Sequence, residues 1–244
     1  MSFLANEIPQ GPAVDQVLTS PEDLGPILAR RFKAYGADAK RSMFQLVTTA
    51  APFIALLGVM AAVGHDRYWL TLLLAVPAAG LLVRLFIIQH DCGHGSFFKS
   101  RAANDFLGRG LSVLTLTPYG SWSQGHAAHH ASTGNLDRRG RGDVETWTVA
   151  EYQASAPLKK LGYRLYRNPF VMVLLGAPIN FVVLQRLPLG RGFRDTYGRR
   201  SILALDLALF VAFGLCGALF GVVPLLKTYL PIIIIASWIG NWLF

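Results

Sequence analysis

Long apolar stretches without charge constrain this chain more than any other feature. Residues 43–63 contain no charged side chain, and residues 68–89 contain only Arg84. Each stretch reaches the ~20 residues that a helix needs to cross a bilayer core. Only 15% of all residues are charged, against about 25% in a typical soluble domain. The sequence therefore predicts an all-α, polytopic membrane helical protein.

Further apolar stretches bring the expected number of spanning helices to about four. Residues 202–226 and 229–244 are interpreted as the third and fourth spans. Two other pieces are predicted to be interfacial or re-entrant helices. Residues 106–117 are too short to span, and a crossing by residues 170–187 would place four arginines outside, against the positive-inside rule.

The distribution of basic residues predicts the orientation in the membrane. The chain carries 23 Lys and Arg against 14 Asp and Glu. In this topology only Arg67 and Lys227 lie at outer turns and Arg84 lies within a span, while the other basic residues share the side of the N-terminus. Such asymmetry is typical of cytoplasmic flanks, so we expect a bacterial inner membrane protein with a cytoplasmic N-terminus. The basic residues form no separate domain, so no nucleic-acid partner is expected.

The N-terminal region differs from the rest in composition. Residues 1–41 are predicted to be a cytoplasmic segment, and residues 42–244 a membrane domain. Ser20-Pro21-Glu22-Asp23 combines residues that favour the first turn of a helix. A short amphipathic helix is therefore expected over residues 20–32.

Five of the six histidines stand in two short clusters, each beside an apolar stretch. One cluster holds His90 and His94, and the other holds His126, His129 and His130. Positions i, i+3 and i+4 share a helix face, and imidazole is the commonest metal ligand among side chains. We therefore predict a cytoplasmic metal site with these five ligands. Histidines that merely cap helix ends are the alternative for either cluster taken alone.

The residues between the histidines narrow the chemistry. A zinc protease of the H-E-x-x-H type needs a glutamate there as general base, whereas this chain has Asp-Cys-Gly and Ala-Ala. Five histidines also exceed the three protein ligands of a typical catalytic zinc. Two metals, or one metal with an unusually rich shell, remain open, and spacing alone does not select the element.

Four segments resemble the membrane fatty acid desaturase family, and they are closest to bacterial acyl-lipid desaturases of the Δ5 and Δ12 type. His90 and His94 match the H-x-x-x-H box of that family, and residues 126–130 match its H-x-x-H-H box. The segments are His90-Asp-Cys-Gly-His-Gly-Ser-Phe-Phe98, Leu114-Thr-Leu-Thr-Pro-Tyr119, residues 126–143 and Trp147-Thr-Val-Ala-Glu-Tyr152.

The resemblance implies a non-haem diiron centre held mostly by histidines. Such a centre uses dioxygen and an external electron donor to remove two hydrogens from neighbouring methylenes, chemistry that no side chain performs alone. The implied substrate is an acyl lipid, or an acyl chain on CoA or another carrier. The implied donor is a ferredoxin, flavodoxin or cytochrome, because the sequence shows no haem or iron–sulfur motif.

The chain departs from the family pattern in its C-terminal part. No histidine follows His130, although the family has a third box, and the last apolar stretch has only residues 229–244. The sequence therefore predicts a desaturase domain that is incomplete at the C-terminus and inactive as 244 residues. Two rival functions stay open: a related diiron hydroxylase or carotenoid ketolase, and a non-catalytic membrane fragment.

Some polar residues carry weaker hypotheses. Asp137 and Asp143 are candidates for orienting ligand histidines, with turn chemistry as the alternative. Asp206 lies within an apolar stretch, where ionisable groups are often functional. The cluster of Arg138, Arg139 and Arg141 is a candidate site for a phosphate head group or an acidic donor, or simply a basic flank.

Overall fold

Every regular element in the described part of the chain is a helix, which confirms the predicted all-α class. The computed structural model describes residue 25 and residues 36–63, 67–139, 144–187 and 196–243. By its contacts the chain divides into Met1–Ala37 and Asp38–Phe244, and only the second unit is described below. The amphipathic helix expected over residues 20–32 lies, apart from Gly25, outside the described residues.

Five helices of the described ranges are long and apolar enough to cross a membrane. The chain is therefore an integral membrane protein. Four of these helices coincide with the predicted spans, and the fifth covers the piece that was expected to be interfacial or re-entrant. They are α1 (Ala39–Val63), α2 (Tyr68–Gly93), α7 (Pro169–Arg186), α8 (Thr196–Phe220) and α9 (Val222–Leu243).

Helix α7 qualifies by length and composition but is irregular. It combines a short α-turn, a π-helical stretch over Met172–Gly176, an α-helical stretch and a final 3-10 turn. Pro178 has no amide proton, so the carbonyl of Leu174 loses its normal helical partner. That carbonyl instead accepts a hydrogen bond from Nε1 of Trp238, 3.3 Å away on α9. The re-entrant path stays a prediction.

The boundary between α8 and α9 differs from the predicted one. The sequence placed it near Lys227, but the helices meet at Gly221, whose φ of +87° is in the left-handed region that favours glycine. Pro224 then lies in the first turn of α9, where proline is tolerated. Helix α9 therefore has 22 residues. It is longer than residues 229–244, the stretch that the sequence predicted for the last span.

Helix α2 is the centre of the bundle and packs against α1 and α9. Its inner face is lined by alanines, which let neighbouring helices approach closely where lipid supplies no hydrophobic drive for association. By contrast, Phe44 on α1 and Phe210 on α8 are 72% and 79% exposed, as suits side chains that face lipid. The most deeply buried residues of α2 are Ala75, Ala78, Ala79, Leu82, Leu85, Ile88, Gln89 and Cys92.

Two shorter helices follow α2, and the first covers most of residues 106–117, the piece predicted to be too short to span. Helix α3 (Arg101–Thr115) begins at Ser100, whose hydroxyl accepts a hydrogen bond from the amide of Ala103. Helix α4 (Tyr119–Ser132) starts after Pro118. Two more helices, α5 (Val149–Ala154) and α6 (Pro157–Tyr166), precede α7.

Candidate metal centre

The end of α2 is fixed by a buried polar network one residue before His90. Gln89 is fully buried, and its Nε2 donates to Oγ of Ser112 and to the carbonyl of Thr117, both at 3.1 Å. Its Oε1 accepts from the hydroxyl of Thr115 at 2.6 Å. Because every polar atom of this amide has a partner, its burial costs little. The network ties α2 to α3 and sets the rotation of α2 about its own axis.

Helix α4 is held against the same two helices through its first residue. The hydroxyl of Tyr119 lies 2.9 Å from the carbonyl of Cys92 and 3.0 Å from Oδ1 of Asp105. Burial raises the pKa of Tyr119 far above its usual range, so the phenol stays protonated. A Cβ on Gly108 would lie 2.3 Å from the Tyr119 ring. Only glycine leaves room for this contact between α3 and α4.

These contacts bring four of the five predicted histidines together. His90 lies on the last turn of α2 and His94 directly follows that helix, while His126 and His130 lie one turn apart on α4. The Nε2 of His126 is 3.0 Å from that of His90 and 3.1 Å from those of His94 and His130. One ligand atom from each of the four falls within 4.8 Å of the others.

The donor set fits a metal ion. A ring nitrogen carries either one proton or one lone pair, so Nε2 of His126 cannot form hydrogen bonds with all three neighbours at once. An ion about 2.1 Å from each nitrogen, with adjacent ligands at right angles, would separate the nitrogens by about 3.0 Å. The observed separations agree with that value, and borderline metals such as iron and zinc accept such imidazoles.

Electrostatics keep the cluster in the protonation state that ligates metal. Desolvation by burial, followed by repulsion from His90 and His130, lowers the pKa of His126 to about 4. Burial and the same two neighbours also lower the pKa of His94. Both rings are therefore neutral at pH 7, which is the form that offers a lone pair. Sequence reasoning missed Asp91, whose Oδ1 lies 3.4 Å from Nδ1 of His90. With Nδ1 next to this carboxylate, the Nε2 of His90 faces the cluster.

His129 is the predicted ligand that does not join this group. Its ring stacks on that of His126 at a centroid distance of 6.1 Å and lies 5.7 Å from the ring of His130. Asp137 and Asp143 were the candidates for orienting the ligand histidines. Asp137 lies in a 3-10 turn capped by Asn135, and Asp143 lies outside the described residues.

Asp206 is accounted for by an ion pair within the apolar region. Its Oδ1 lies 3.8 Å from NH1 of Arg186, which joins the end of α7 to α8. Pairing is the usual way in which such groups are accommodated among apolar surroundings. A structural role is therefore sufficient for this aspartate.

A wall of aromatic rings separates the histidines from the apolar interior. Trp122 stacks on His126 with centroids 4.7 Å apart and planes 16° apart. Trp122 also lies against Phe86 of α2, 5.4 Å away with an edge-on ring. A Cβ on Gly93 would lie 2.9 Å from the Trp122 ring, so this glycine permits the indole to sit against α2. Trp122 lies four residues before His126 on α4, so helical periodicity is the signal that could have found their contact.

Behind Phe86 lies an apolar cavity of about 50 Å³. Its walls come from α2, α7 and α9 and from Thr115 at the end of α3. Thr115 and Ser237 are the polar residues that line it. Phe86 thus borders the cavity on one side and Trp122 on the other. The remaining lining residues are Leu82, Val83, Phe181, Ile233, Ala236 and Gly240.

Fold and site together define a class: a polytopic α-helical membrane protein with a cluster of four histidines, at one end of its bundle, that could hold a metal ion. Comparison with known proteins gives the family. The family model for fatty acid desaturases matches residues 67–244. A fatty acid desaturase of Bacillus subtilis (strain 168) is 43% identical over 208 residues. The chain belongs to the fatty acid desaturase family.

Cyanobacterial relatives are more distant. An sn-1 acyl-lipid omega-3 desaturase (ferredoxin) of Synechocystis is 33% identical over 64% of this chain, and an sn-1 oleoyl-lipid 12-desaturase of the same organism is 37% identical over 36%. The alignments cover 85% of this chain and 58% of the Bacillus protein, and 44% and 25% of the two Synechocystis proteins. The chain therefore covers at most 58% of the length of these three relatives. No solved structure matches it.

Proposed function

We propose that this protein is an oxygen-dependent acyl desaturase whose non-haem iron centre is built in part by His90, His94, His126 and His130. The observation that carries the proposal is the convergence of their four ring nitrogens within 4.8 Å. Membership of the desaturase family favours iron among the metals that imidazole accepts. These four nitrogens are enough to hold one iron ion. We propose that His129 is a ligand of the second iron of a diiron centre.

The substrate proposed is the acyl chain of a membrane lipid. The cavity behind Phe86 is apolar and borders helices with lipid-facing side chains, so it favours a short hydrocarbon segment over a polar group. Trp122 and Phe86 lie between this cavity and His126. Related proteins named as acyl-lipid desaturases support this substrate class over a soluble acyl carrier.

The bound irons would supply the activation of dioxygen, which no side chain here provides. For each double bond formed, the acyl chain gives up two hydrogens with two electrons, a donor supplies two more electrons with two protons from water, and dioxygen leaves as two molecules of water. We propose a ferredoxin as donor, since one relative's name specifies it. His94 and His130 are exposed, so a donor can approach the centre from the aqueous side.

The chain's own residues prepare this site in three ways. The Gln89 network fixes the direction of His90, and Asp91 fixes its proton on Nδ1. Trp122 sets the plane of the His126 ring and excludes water from the cavity side. We propose that the site lies at the cytoplasmic face of a bacterial inner membrane, on the side where most basic residues lie.

The experiment is lipid analysis after expression of the full gene with and without His126→Ala, and of the 244-residue chain, which we expect to be inactive because it carries two of the family's three histidine boxes. We expect new double bonds in the acyl chains of the host's phospholipids only with the intact histidine, measured by gas chromatography. Hydroxylated or keto products that depend on His126 would instead indicate a diiron hydroxylase or ketolase.

Metal analysis of the purified 244-residue chain addresses the site independently of turnover. We expect about one tightly bound iron per chain, because four of the nitrogens face one point. A chain that binds no iron under anaerobic loading with Fe²⁺ would overturn the metal assignment and support a non-catalytic role.

A further inference from the structure

Helix α6 carries a row of exposed leucines. Leu158, Leu161 and Leu165 are 79%, 53% and 53% exposed. At a spacing of three and four residues they share one face of the helix. Three large apolar side chains on a single short helix form a patch that needs a partner if it is to leave water.

The opposite side of α6 is firmly attached to the preceding segment, so the direction of the leucines is fixed. The Tyr163 ring stacks on Trp147 with centroids 4.4 Å apart, and its hydroxyl accepts from the Trp147 amide at 3.1 Å. The Tyr166 hydroxyl accepts from the amide of Glu145, also at 3.1 Å. These contacts hold residues 144–166 as one unit whose packed face is aromatic and whose outer face is aliphatic.

The chain path places this face near the membrane. Helix α6 ends at Tyr166 and the apolar α7 begins at Pro169, with Asn168 capping α7 through bonds from the amides of Phe170 and Val171. So short a connection reaches at most about 10 Å. Phe170 at the start of α7 is 73% exposed. The C-terminal end of α6 therefore lies within about 10 Å of the start of the apolar α7.

The charge on α6 specifies the kind of membrane. The helix contains Lys159, Lys160 and Arg164 and no acidic residue, and Arg167 follows it directly. Lys160 and Arg164 lie over the Tyr152 ring at 5.8 and 5.7 Å. A helix with leucines on one face and basic residues at its flanks is typical of binding in the plane of an anionic lipid surface.

We propose that α6 lies flat on an anionic phospholipid leaflet, with Leu158, Leu161 and Leu165 in the acyl region and its basic residues at the lipid phosphates. This contact holds residues 144–166 against the bilayer on the side where α7 begins. The proposal concerns the lipid surface and is independent of what the metal centre catalyses. An acidic protein is the competing occupant of the same face.

The test is the depth of spin labels on α6 in nanodiscs. Labels are placed at Leu158→Cys, Leu161→Cys and Leu165→Cys, in a background in which Cys216 is replaced and the fully buried Cys92 is kept. The matched control is Lys159→Cys, which points away from the leucine face. In anionic nanodiscs we expect oxygen to relax the three leucine-site labels more than a water-soluble nickel chelate does, with the opposite order at residue 159.

A second measurement uses the unmodified chain. Trypsin cuts after Lys159, Lys160 and Arg164, and we expect cutting there to slow in phosphatidylglycerol-containing nanodiscs relative to pure phosphatidylcholine. Labels that are water-accessible at all four positions, with cleavage indifferent to lipid charge, would overturn the proposal. Labels that lose water access only when an acidic ferredoxin is added would assign the face to a protein partner instead.

Discussion

Helices α2, α3 and α4, which surround the histidine cluster, and residues 144–166 are held in place by different kinds of contact. Near the histidines, α2, α3 and α4 are joined by buried hydrogen bonds centred on Gln89 and by a glycine contact at Tyr119. Residues 144–166 are held by the stacked rings of Trp147 and Tyr163 and by the ion pair of Arg139 with Glu151, and one apolar face of this segment stays exposed. A ligand set must be placed to within a fraction of an ångström, whereas a surface-bound unit tolerates a looser attachment. Changes in the first region should therefore have larger effects.

The largest effect, on Fe²⁺ affinity, is expected when His126 is replaced, because this histidine neighbours the other three of the cluster. Replacing His126 with alanine removes the nitrogen that lies 3.0–3.1 Å from three others. We expect Fe²⁺ affinity to fall by more than about 100-fold. Loss of a group that only hydrogen-bonds to a ligand histidine costs up to about 100-fold, and loss of the ligand itself should cost more. Titration of the purified chain measures this. Gln124→Ala, at an exposed site on the same helix, is the matched control, and an equal loss in both variants would contradict the assignment.

The buried network should give the next largest effect. In Gln89→Leu the hydroxyl of Thr115 and the carbonyl of Thr117 lose a buried partner, at a cost of about 1–3 kcal/mol. Thermal unfolding in detergent measures the loss of stability. Gln45→Leu, at a half-buried site on α1 outside the network, should unfold near the wild-type temperature. If both variants unfold alike, the network does not stabilise the end of α2.

A paired glycine substitution tests the contact between α3 and α4. Gly108→Ala places a methyl group 2.3 Å from the Tyr119 ring, and we expect a destabilisation of about 1–3 kcal/mol from overpacking. Gly110 lies on the same helix with nothing within 4 Å of an added Cβ. Gly110→Ala should be neutral or slightly stabilising, because alanine is the better helix former. Unfolding temperatures that order the two variants the other way would refute the close approach.

The smallest effect is expected in residues 144–166 and depends on pH. A hydrogen bond from Arg139, with help from the Thr148 amide, lowers the pKa of Glu151 from 4.5 to about 2. A lowered folded-state pKa stabilises the attachment above about pH 4.5, and this contribution is lost as the pH falls toward 2. Trp147 fluorescence in Glu151→Gln should lack that acid transition. Since the pair is solvent-exposed, salt should also weaken the transition in the wild type.

Apolar composition was sufficient to predict four of the five candidate spans, and spacing was sufficient to predict which helices carry the clustered histidines. Apolar composition did not predict the turn at Gly221, because apolar residues continue on both sides of this glycine and only its backbone conformation marks the end of α8. Helical periodicity placed His129 and His130 on a common face, yet consecutive residues differ by about 100° around the axis. That difference separates a ring that reaches the cluster from one that does not.

Contacts between distant parts of the chain were beyond sequence reasoning. The packing of Trp122 against α2 depends on the small size of Gly93, and no local pattern joins these two positions. Gln89 was the nearest to a visible signal, because an uncharged amide within an apolar span usually has a specific partner. Its partners in α3 became apparent only from the fold.

Phe86, Gln89 and His90 share little more than one turn of α2, facing the cavity, α3 and the histidine cluster respectively. One residue inserted or deleted between Ala79 and Phe86 would rotate all three by about 100° relative to the packed half of the helix. Length variation among homologous chains should therefore be absent from this stretch and confined to positions before Tyr68, where an indel leaves the phase of the helix unchanged.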